Sequence, residues 1–329
     1  MNRRKAIQQT AAGLAALVAF GTASAQHTDA WPSRVITMVV PAAAGSGTDT
    51  MARDLATRLS AVLKQSVVVD NKPGASGVLG LQAVVRAPAD GYTLLYSNGS
   101  MAVMAPALVK NLPYDVIRDL VPVAQTAEGG VMLLVNNDFP AKNLKELIEV
   151  VKANPGKYTY GSWAIGSSGH LTMEWLKKQT GMDITHVGYK ATPQLLTDLM
   201  AGNIKIAWSD PAAPIPFIES GKMRPIAVTG KTRLSRTPNV PTMGEQGHAF
   251  DTVGWFGVFA PTGTPKAVVQ RLNDEIMKIQ LQPEVSTRVK SLNIAIPPTK
   301  SPEQFRSLVV EDTTVWKKIV TDAGITLDN

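Results

Sequence analysis

Apolar and polar positions alternate between two periods along this chain. Val35 to Val40 is a β-branched run, and after "PAAAGSGTD" the apolar residues recur at helical spacing at Met51, Leu55, Leu59, Val62 and Leu63. The pattern predicts a strand, a Gly/Ser loop and a helix from Thr48 to Lys64, with Thr48 as N-cap and Asp49 in the first turn. "SVVVDNKPGASG" reads as a second strand ending in a Pro-Gly loop, a helix follows from about Val78 to Arg86, and "YTLLYSN" reads as a third strand. Such a β-α-β-α-β order implies a parallel sheet flanked by helices.

Beyond Pro106 the pattern is mixed, and then a second α/β run begins. "GVMLLVNN" is strand-like, and "NLKELIEVVKANPG" is a helix capped by Asn143, with Leu144, Leu147, Ile148 and Val151 inward. "YTYGSWAIGSSGHLTMEWLKKQTG" repeats the first design: strand, Gly/Ser loop, and a helix with Leu171, Trp175 and Leu176 inward. Strands "ITHVGY", "IKIAWSD" and "MRPIAVTG" and the helix "TPQLLTDLMAG" follow. After "TVGWFGVFAPTGTP" two helices are expected to close the sequence. The first has Thr264 as cap; the second opens on the capping box Ser301-Pro302-Glu303-Gln304 and carries Phe305, Leu308, Val309, Trp316, Ile319 and Val320 on one stripe.

The two loops are where chemistry can be sought. Gly45, Ser46, Gly47 and Thr48 can turn N–H groups toward one point, and the helix that follows adds unpaired N–H groups and the positive end of its dipole, which suits an anion. Gly45-x-Gly47 with Asp70 ending the next strand 23 residues later approaches a dinucleotide fingerprint, but Thr50 stands where the third glycine is needed. A Walker loop fails for want of a lysine after the glycines. No GxSxG elbow exists; Gly166-Ser167-Ser168-Gly169 is one residue short, and a triad of Ser167 or Ser168 with His170 and Asp210 marks the alternative reading, a secreted serine hydrolase acting on a carboxylic ester.

Composition narrows the field. The chain has 329 residues, 44% hydrophobic and 18% charged, enough for two domains with their own cores. Arg3, Arg4 and Lys5, an apolar run from Ala11 to Phe20 and the small site Ala23-Ser24-Ala25 read as a secretory signal over residues 1–25. Its removal lowers the formal charge from +7 to +4, too small an excess to argue for nucleic acid. Cysteine is absent, which excludes a disulfide framework, a thiolate metal site, a thiol nucleophile and a lipoprotein anchor. The four histidines, His27, His170, His186 and His248, lack the spacing of metal ligands on one helix or strand face.

A set of motifs in order resembles one family. "WPSRVITMVVPAAAGSGTD", "VVVDNKPGASG", "ADGYTLLYSN", "LPYDVIRDLVPVA", "ELIEVVKANPGKYTYGS", "GSSGHL", "THVGYK", "AVTGKTRLSRTPNVPTMGE" and "WFGVFAPTGTP" are similar to the periplasmic solute receptors of tripartite tricarboxylate transporters, the Bug or TctC type. The resemblance implies a two-domain α/β Venus-flytrap fold, each domain a mixed, mostly parallel sheet flanked by helices. Residues 26–125 and 251–329 are expected to form domain 1 and residues 126–250 domain 2. It further implies a periplasmic receptor, not an enzyme, that passes an organic carboxylate to a two-component integral membrane permease. No cofactor, metal or nucleic acid is expected, and the chain is expected to act as a monomer.

In the family two loops grip one carboxylate, and by position these are Ala43 to Asp49 and Ser162 to His170. The expected ligand-binding residues are Ala44, Gly45, Ser46, Gly47, Thr48 and Asp49 on the first loop, Ser162, Trp163, Gly166, Ser167 and Ser168 on the second, and Asp210 at the carboxyl end of "IKIAWSD". Asp49 should turn its carboxylate toward neighbouring backbone donors, since facing an anion would repel it; Asp210 is open between ligand contact and loop support. His170 is expected to be structural, and Met101, Met104, Trp208 and Trp255 to be core. "KTRLSR" reads as a solvated loop. The chain departs from the family pattern at Ala42, where phenylalanine is usual, at Ser46 between the glycines, at Trp163, and at Gly188 and Ala191. An opened space beside Ala42 and a flat wall at Trp163 point to a bulky ligand, such as a benzene dicarboxylate like terephthalate.

Overall fold

Two five-stranded sheets organise the chain. The first is built from β1 (Ile36–Val40), β2 (Val67–Asn71), β3 (Thr93–Asn98), β4 (Leu120–Gly129) and β10 (Gly254–Pro261), in the order β2-β1-β3-β10-β4. The second contains β5 (Met132–Asn136), β6 (Thr159–Ser162), β7 (Thr185–Gly188), β8 (Ile206–Ser209) and β9 (Met223–Val228), in the order β7-β6-β8-β5-β9. In each sheet the first two pairings are parallel and the last two antiparallel, so four strands run one way and the fourth in the order runs against them. The computed structural model describes residues 31–109 and 112–325, and the expected signal segment lies outside them. The chain divides after Ser33 into a short leading unit and the unit from Arg34 onward, to which every element here belongs.

The antiparallel strands tie the sheets together. β4, at the edge of the first sheet, runs through Gly129-Gly130 into β5, the antiparallel strand of the second; β9, at the edge of the second, leads back to β10, the antiparallel strand of the first. The crossings touch: Val131 N donates to Thr229 Oγ1 and Thr229 N donates to Val131 O, each at 3.0 Å. A side chain at Gly130 would collide with the Thr229 carbonyl, so only glycine permits this approach.

Helices cover both sheets: α1 (Gly47–Leu63), α2 (Val78–Val85), α3 (Ala105–Leu108), α4 (Val116–Asp119), α5 (Leu144–Lys152), α6 (Ser168–Thr180), α7 (Thr192–Ala201), α8 (Ile215–Glu219), α9 (Lys266–Gln280), α10 (Pro283–Ser291) and α11 (Pro302–Ala323). On α1, Met51, Leu55, Leu59 and Leu63 are buried as the periodicity predicts, but Val62 is 39% exposed. Ala52 and Ala56 share the buried side and move its centre away from Val62. Three helices, not two, close the sequence, because Gln282-Pro283 restarts the helix after α9. Thr264 does not cap α9: its hydroxyl donates to Pro261 O, Pro265 takes the cap position and the helix begins at Lys266. Asn143 caps α5 and Ser301 forms the expected capping box on α11.

One apolar core runs through both layers. Leu95 and Phe259 of the first sheet, Leu133 and Trp208 of the second, and Phe305 and Trp316 of α11 belong to it. Trp316 packs edge-on against Phe250 at 5.7 Å, and Phe250 against Trp175 of α6 at 4.9 Å. Lys178 of α6 pairs with Asp322 of α11 at 3.0 Å. The last helix therefore packs on β4 of the first sheet and on α6 of the second half, and ties the two together.

Candidate functional site

The two Gly/Ser loops are structural copies: each residue of the second corresponds to one 121 positions earlier, so Gly45 matches Gly166, Ser46 matches Ser167 and Ala42 matches Trp163. Gly45 and Gly166 both take positive φ, at 80° and 75°, the left-handed turn that glycine makes without strain. Ser46 and Ser167 both cap the helix that follows, accepting from Asp49 N and His170 N, each at 3.3 Å. Their own N–H groups donate to Ala43 O and Ala164 O, both at 3.2 Å. Serine at the cap is what the dipeptide Gly-Ser before a helix favours, and it corrects the expectation that Thr48 would cap α1. Thr48 lies inside the first turn, where its hydroxyl accepts from Asn98 Nδ2 at 3.0 Å and ties the loop to the end of β3.

The copies differ in what anchors them. In the first loop Asp49 Oδ2 accepts from Gly45 N at 2.8 Å and from Arg53 Nε at 3.0 Å, while Oδ1 accepts from Asn71 Nδ2 at 2.9 Å. Its carboxylate faces backbone and side-chain donors, as expected of a group beside an anion site. Burial pushes its pKa up, but the hydrogen bonds from Arg53, Gly45 and Asn71 outweigh that and hold it below the ordinary carboxylate value. In the second loop a neutral ring does the same work, since His170 Nδ1 accepts from Gly166 N at 2.9 Å. His170 stacks on His186 with centroids 3.8 Å apart and planes within 11°. Ser167 Oγ donates to Ser162 Oγ at 3.0 Å, Ser162 Oγ donates to Ala164 O at 2.9 Å, and His186 Nε2 lies 2.8 Å from Ser162 Oγ. Burial lowers the pKa of both rings, that of His186 to about 3 with help from His170 and Lys177.

Between the loops lies a cleft of about 350 Å³. One wall is Pro41, Ala42 and Ala43 from the first loop; the facing wall is Trp163, Ala164, Ile165, Gly166 and Ser167 from the second. A third wall, which the sequence pattern did not mark as a binding element, is the turn Pro73, Gly74, Ser76 and Gly77 after β2, and Ser100, Met101, Ala105 and Leu108 complete the enclosure. That turn carries successive positive φ values at Gly74, Ala75, Ser76 and Gly77, of which Ala75 at 45° and Ser76 at 54° are sterically costly for residues with a Cβ. The signal for it was "NKPGASG", legible as a loop though not as a wall. Gly166 rests directly on Leu108, so the second loop meets the α3 region of the first sheet across the cleft.

The remaining expected residues fall in several places. Ala44, Gly45 and Gly47 are exposed beside the cleft, Ser46 is half-buried, and Thr48 and Asp49 are buried behind them. Ser162 and Ser168 are buried beneath the second loop. Asp210 is not among the cleft's lining residues: its Oδ1 accepts from Ala212 N and Ala213 N at 3.1 and 2.9 Å, so it supports its own turn. Met104, Trp208 and Trp255 are core, as expected, whereas Met101 lines the cleft. In "KTRLSR" the cations are paired, Lys231 with Asp251, Arg233 with Glu245 and Arg236 with Glu219.

A nucleophilic triad does not assemble. Ser167 spends its proton on Ser162, His170 spends Nδ1 on Gly166, and Asp210 bonds its own loop. In the close Ser162–His186 pair Ser162 is buried and His186 half-buried, and Ser162 gives its proton to a carbonyl rather than to the ring. The residues that line the cleft are uncharged: Ser76, Ser100 and Ser167 supply hydroxyls among apolar walls, and the start of α6 lies at its edge through Gly166 and Ser167, whereas Gly45 to Asp49 of the first loop stand outside the lining.

Comparison with known proteins agrees with this geometry. Residues 51–325 match the model of the tripartite tricarboxylate transporter family receptor. The periplasmic binding protein BugD is 33% identical with a TM-score of 0.75, over 90% of this chain and 99% of that one. An R. palustris protein solved with adipate is 34% identical with a TM-score of 0.78, over 90% of this chain and 99% of that one. MatC from Rhodopseudomonas palustris, solved with bound malate, is 30% identical with a TM-score of 0.75, over 88% of this chain and all of that one. Two strand-exchanged α/β sheets, a duplicated Gly/Ser loop and a family model that covers most of the sequence lead to one assignment: the chain belongs to the receptor family of the tripartite tricarboxylate transporters.

Proposed function

We propose that this protein is a periplasmic receptor that captures one organic carboxylate between its two sheets and delivers it to a two-component membrane permease. The observation that carries the reading is the duplicated loop: two helix N-termini with the same serine cap and glycine turn flank a single cleft. Their partial positive charges add at one point, and a ligand bridging both loops favours the closed arrangement. Residues 26–125 with 251–329 are taken as one lobe and 126–250 as the other; the strand exchange supports two lobes, but it keeps all of β4 with the first and moves that boundary to Gly129-Gly130, where the crossing is the natural hinge. The adipate and malate complexes of the two relatives support a dicarboxylate as the ligand class.

For this chain the reading extends to a ligand with a flat apolar body. Ala42 and Trp163 occupy equivalent positions of the two loops and both line the cleft, one leaving space and the other offering an indole face. Melting of the purified protein against a panel of carboxylates, nucleotides and esters tests the proposal, because a ligand that binds only the folded state raises the midpoint by mass action. A shift with organic acids is expected; turnover of an ester, or a shift with nucleotides alone, would refute it.

A further inference from the structure

The two loops are pinned by groups of opposite electrical character, and the difference has a chemical consequence. Asp49 accepts from Gly45 N–H as a carboxylate and keeps an acceptor oxygen in either protonation state; His170 can accept from Gly166 N–H only as a neutral ring with its proton on Nε2. Adding a proton to Nδ1 would set a donor against the Gly166 N–H. It would also put a cation face to face with His186, 3.8 Å away. His186 is held by its own bond to Ser162, which receives the hydroxyl of Ser167, the cap of α6. The histidine pair is thus wired to each of the three residues, Ser162, Gly166 and Ser167, that shape the second loop.

We propose that His170, stacked on His186, is the positioning residue of the second ligand loop, and that its protonation, on acidification below the ordinary imidazole range, releases Gly166 and weakens ligand capture. This rests on the receptor reading above. The groups that face the pair are Tyr160 of β6, with centroids 4.9 Å from His186 and 6.3 Å from His170, and Glu174 and Lys177 of α6 itself. Glu174 is engaged on both sides, accepting from Tyr160 OH at 2.7 Å and from Lys177 Nζ at 2.8 Å; its charge favours the protonated His170 ring and that of Lys177 opposes it, both less than burial does. On α11, Asp322 is paired with Lys178 and Lys318, and no α11 charge acts on either ring. No carboxylate hydrogen-bonds either ring among the described residues, and burial lowers the pKa of His170, and that of His186 to about 3, so both rings are neutral at neutral pH. The first loop has no counterpart to this release, because Asp49 remains ionised through the same range.

The test separates position from bulk. Asparagine places its carbonyl where Nδ1 stands, whereas glutamine reaches to the place of Nε2, so His170→Asn restores the acceptor for Gly166 and His170→Gln does not. Affinities for terephthalate and adipate are measured at pH 7.5 and 4.5 on the wild type and both variants, with melting curves to verify folding. The loss of one hydrogen bond predicts that His170→Gln binds about tenfold more weakly at pH 7.5 and that His170→Asn recovers most of that loss. Acidification should weaken the wild type more than His170→Asn, a comparison in which protonation of the ligand itself cancels. Equal affinities and equal pH profiles for Asn and Gln would overturn the proposal. Nitrogen-15 spectra of the ligand-free protein supply a second, independent test: His170 must carry its proton on Nε2 with Nδ1 bare, and a proton on Nδ1 at neutral pH would overturn it. If neither acid binds the wild type, the receptor reading fails and the spectrum alone decides the anchoring role.

Discussion

Gly166 and Gly45 hold the same backbone conformation in two copies of one loop, but only Gly166 has a neighbour in the space a side chain would fill. Gly45→Ala should therefore cost only the left-handed backbone penalty, about 1–2 kcal/mol. Gly166→Ala should cost that penalty plus the overlap of its Cβ with Leu108 Cδ1, a further ~1–3 kcal/mol for overpacking a side chain that is itself in the core. Because Leu108 belongs to the first sheet's side of the cleft and Gly166 to the second, part of the strain is relieved by opening the cleft, and ligand affinity should fall along with stability. The assay is urea unfolding of both single variants and of Leu108→Ala alone and combined with Gly166→Ala. Removing Leu108 leaves a cavity and is destabilising by itself, about 2–5 kcal/mol. In that background, however, Gly166→Ala should fall back to the cost seen at Gly45, giving a coupling energy of ~1–3 kcal/mol between the two sites. Equal losses for Gly45→Ala and Gly166→Ala, or additivity with Leu108→Ala, would refute the contact across the cleft and with it the claim that the loops meet there.

Two further outcomes follow from the same geometry. Asp312 of α11 is buried and accepts from Trp255 Nε1, and burial first, then Glu311, pushes its carboxyl up to about 6 against the hydrogen bond. A raised folded pKa contributes stability below the unfolded value of 3.8 that is lost as pH rises through about 6. Asp312→Asn should therefore gain on the wild type between pH 4 and pH 8 by about 2 kcal/mol, read by urea unfolding at both, and a pH-independent difference would contradict the assignment. Ala42→Phe should fill the space opposite Trp163 and weaken terephthalate more than adipate in a tryptophan-fluorescence titration; an equal effect on both, or tighter aromatic binding, would return the cleft to short aliphatic acids.

Much of the fold could be read from the chain because its elements carry local signals. Alternating strand and helix periods, the Asn143 cap and the Ser301 box fixed the α/β character and several boundaries, and the repeat of strand, Gly/Ser loop and helix was visible as "GSG" and "GSSG". What could not be read was set by partners far away in sequence. Nothing local to β10 says that it returns to the first sheet as its antiparallel strand, since that is decided by pairing across more than a hundred residues. Asp210 looked like a cleft residue because it ends a strand; its acceptors' demand came instead from Ala212 and Ala213. Thr48 looked like a cap because threonine caps helices, but Ser46, two residues earlier, reached Asp49 N first. The wall at Gly74 to Gly77 was hidden as well: the positive φ at Ala75 and Ser76 has no mark in residue type.

The central claim, that two neutral loops close on a single carboxylate, is tested most directly by calorimetric titration of the tightest-binding acid of the panel beside its carboxamide. One acid should bind per chain, and the amide, which cannot accept charge-assisted hydrogen bonds from both helix starts, should bind at least tenfold more weakly, in line with about 1.5–3 kcal/mol for each hydrogen bond to a charged group. Acid and amide binding alike, or no organic acid binding at all, would contradict the account.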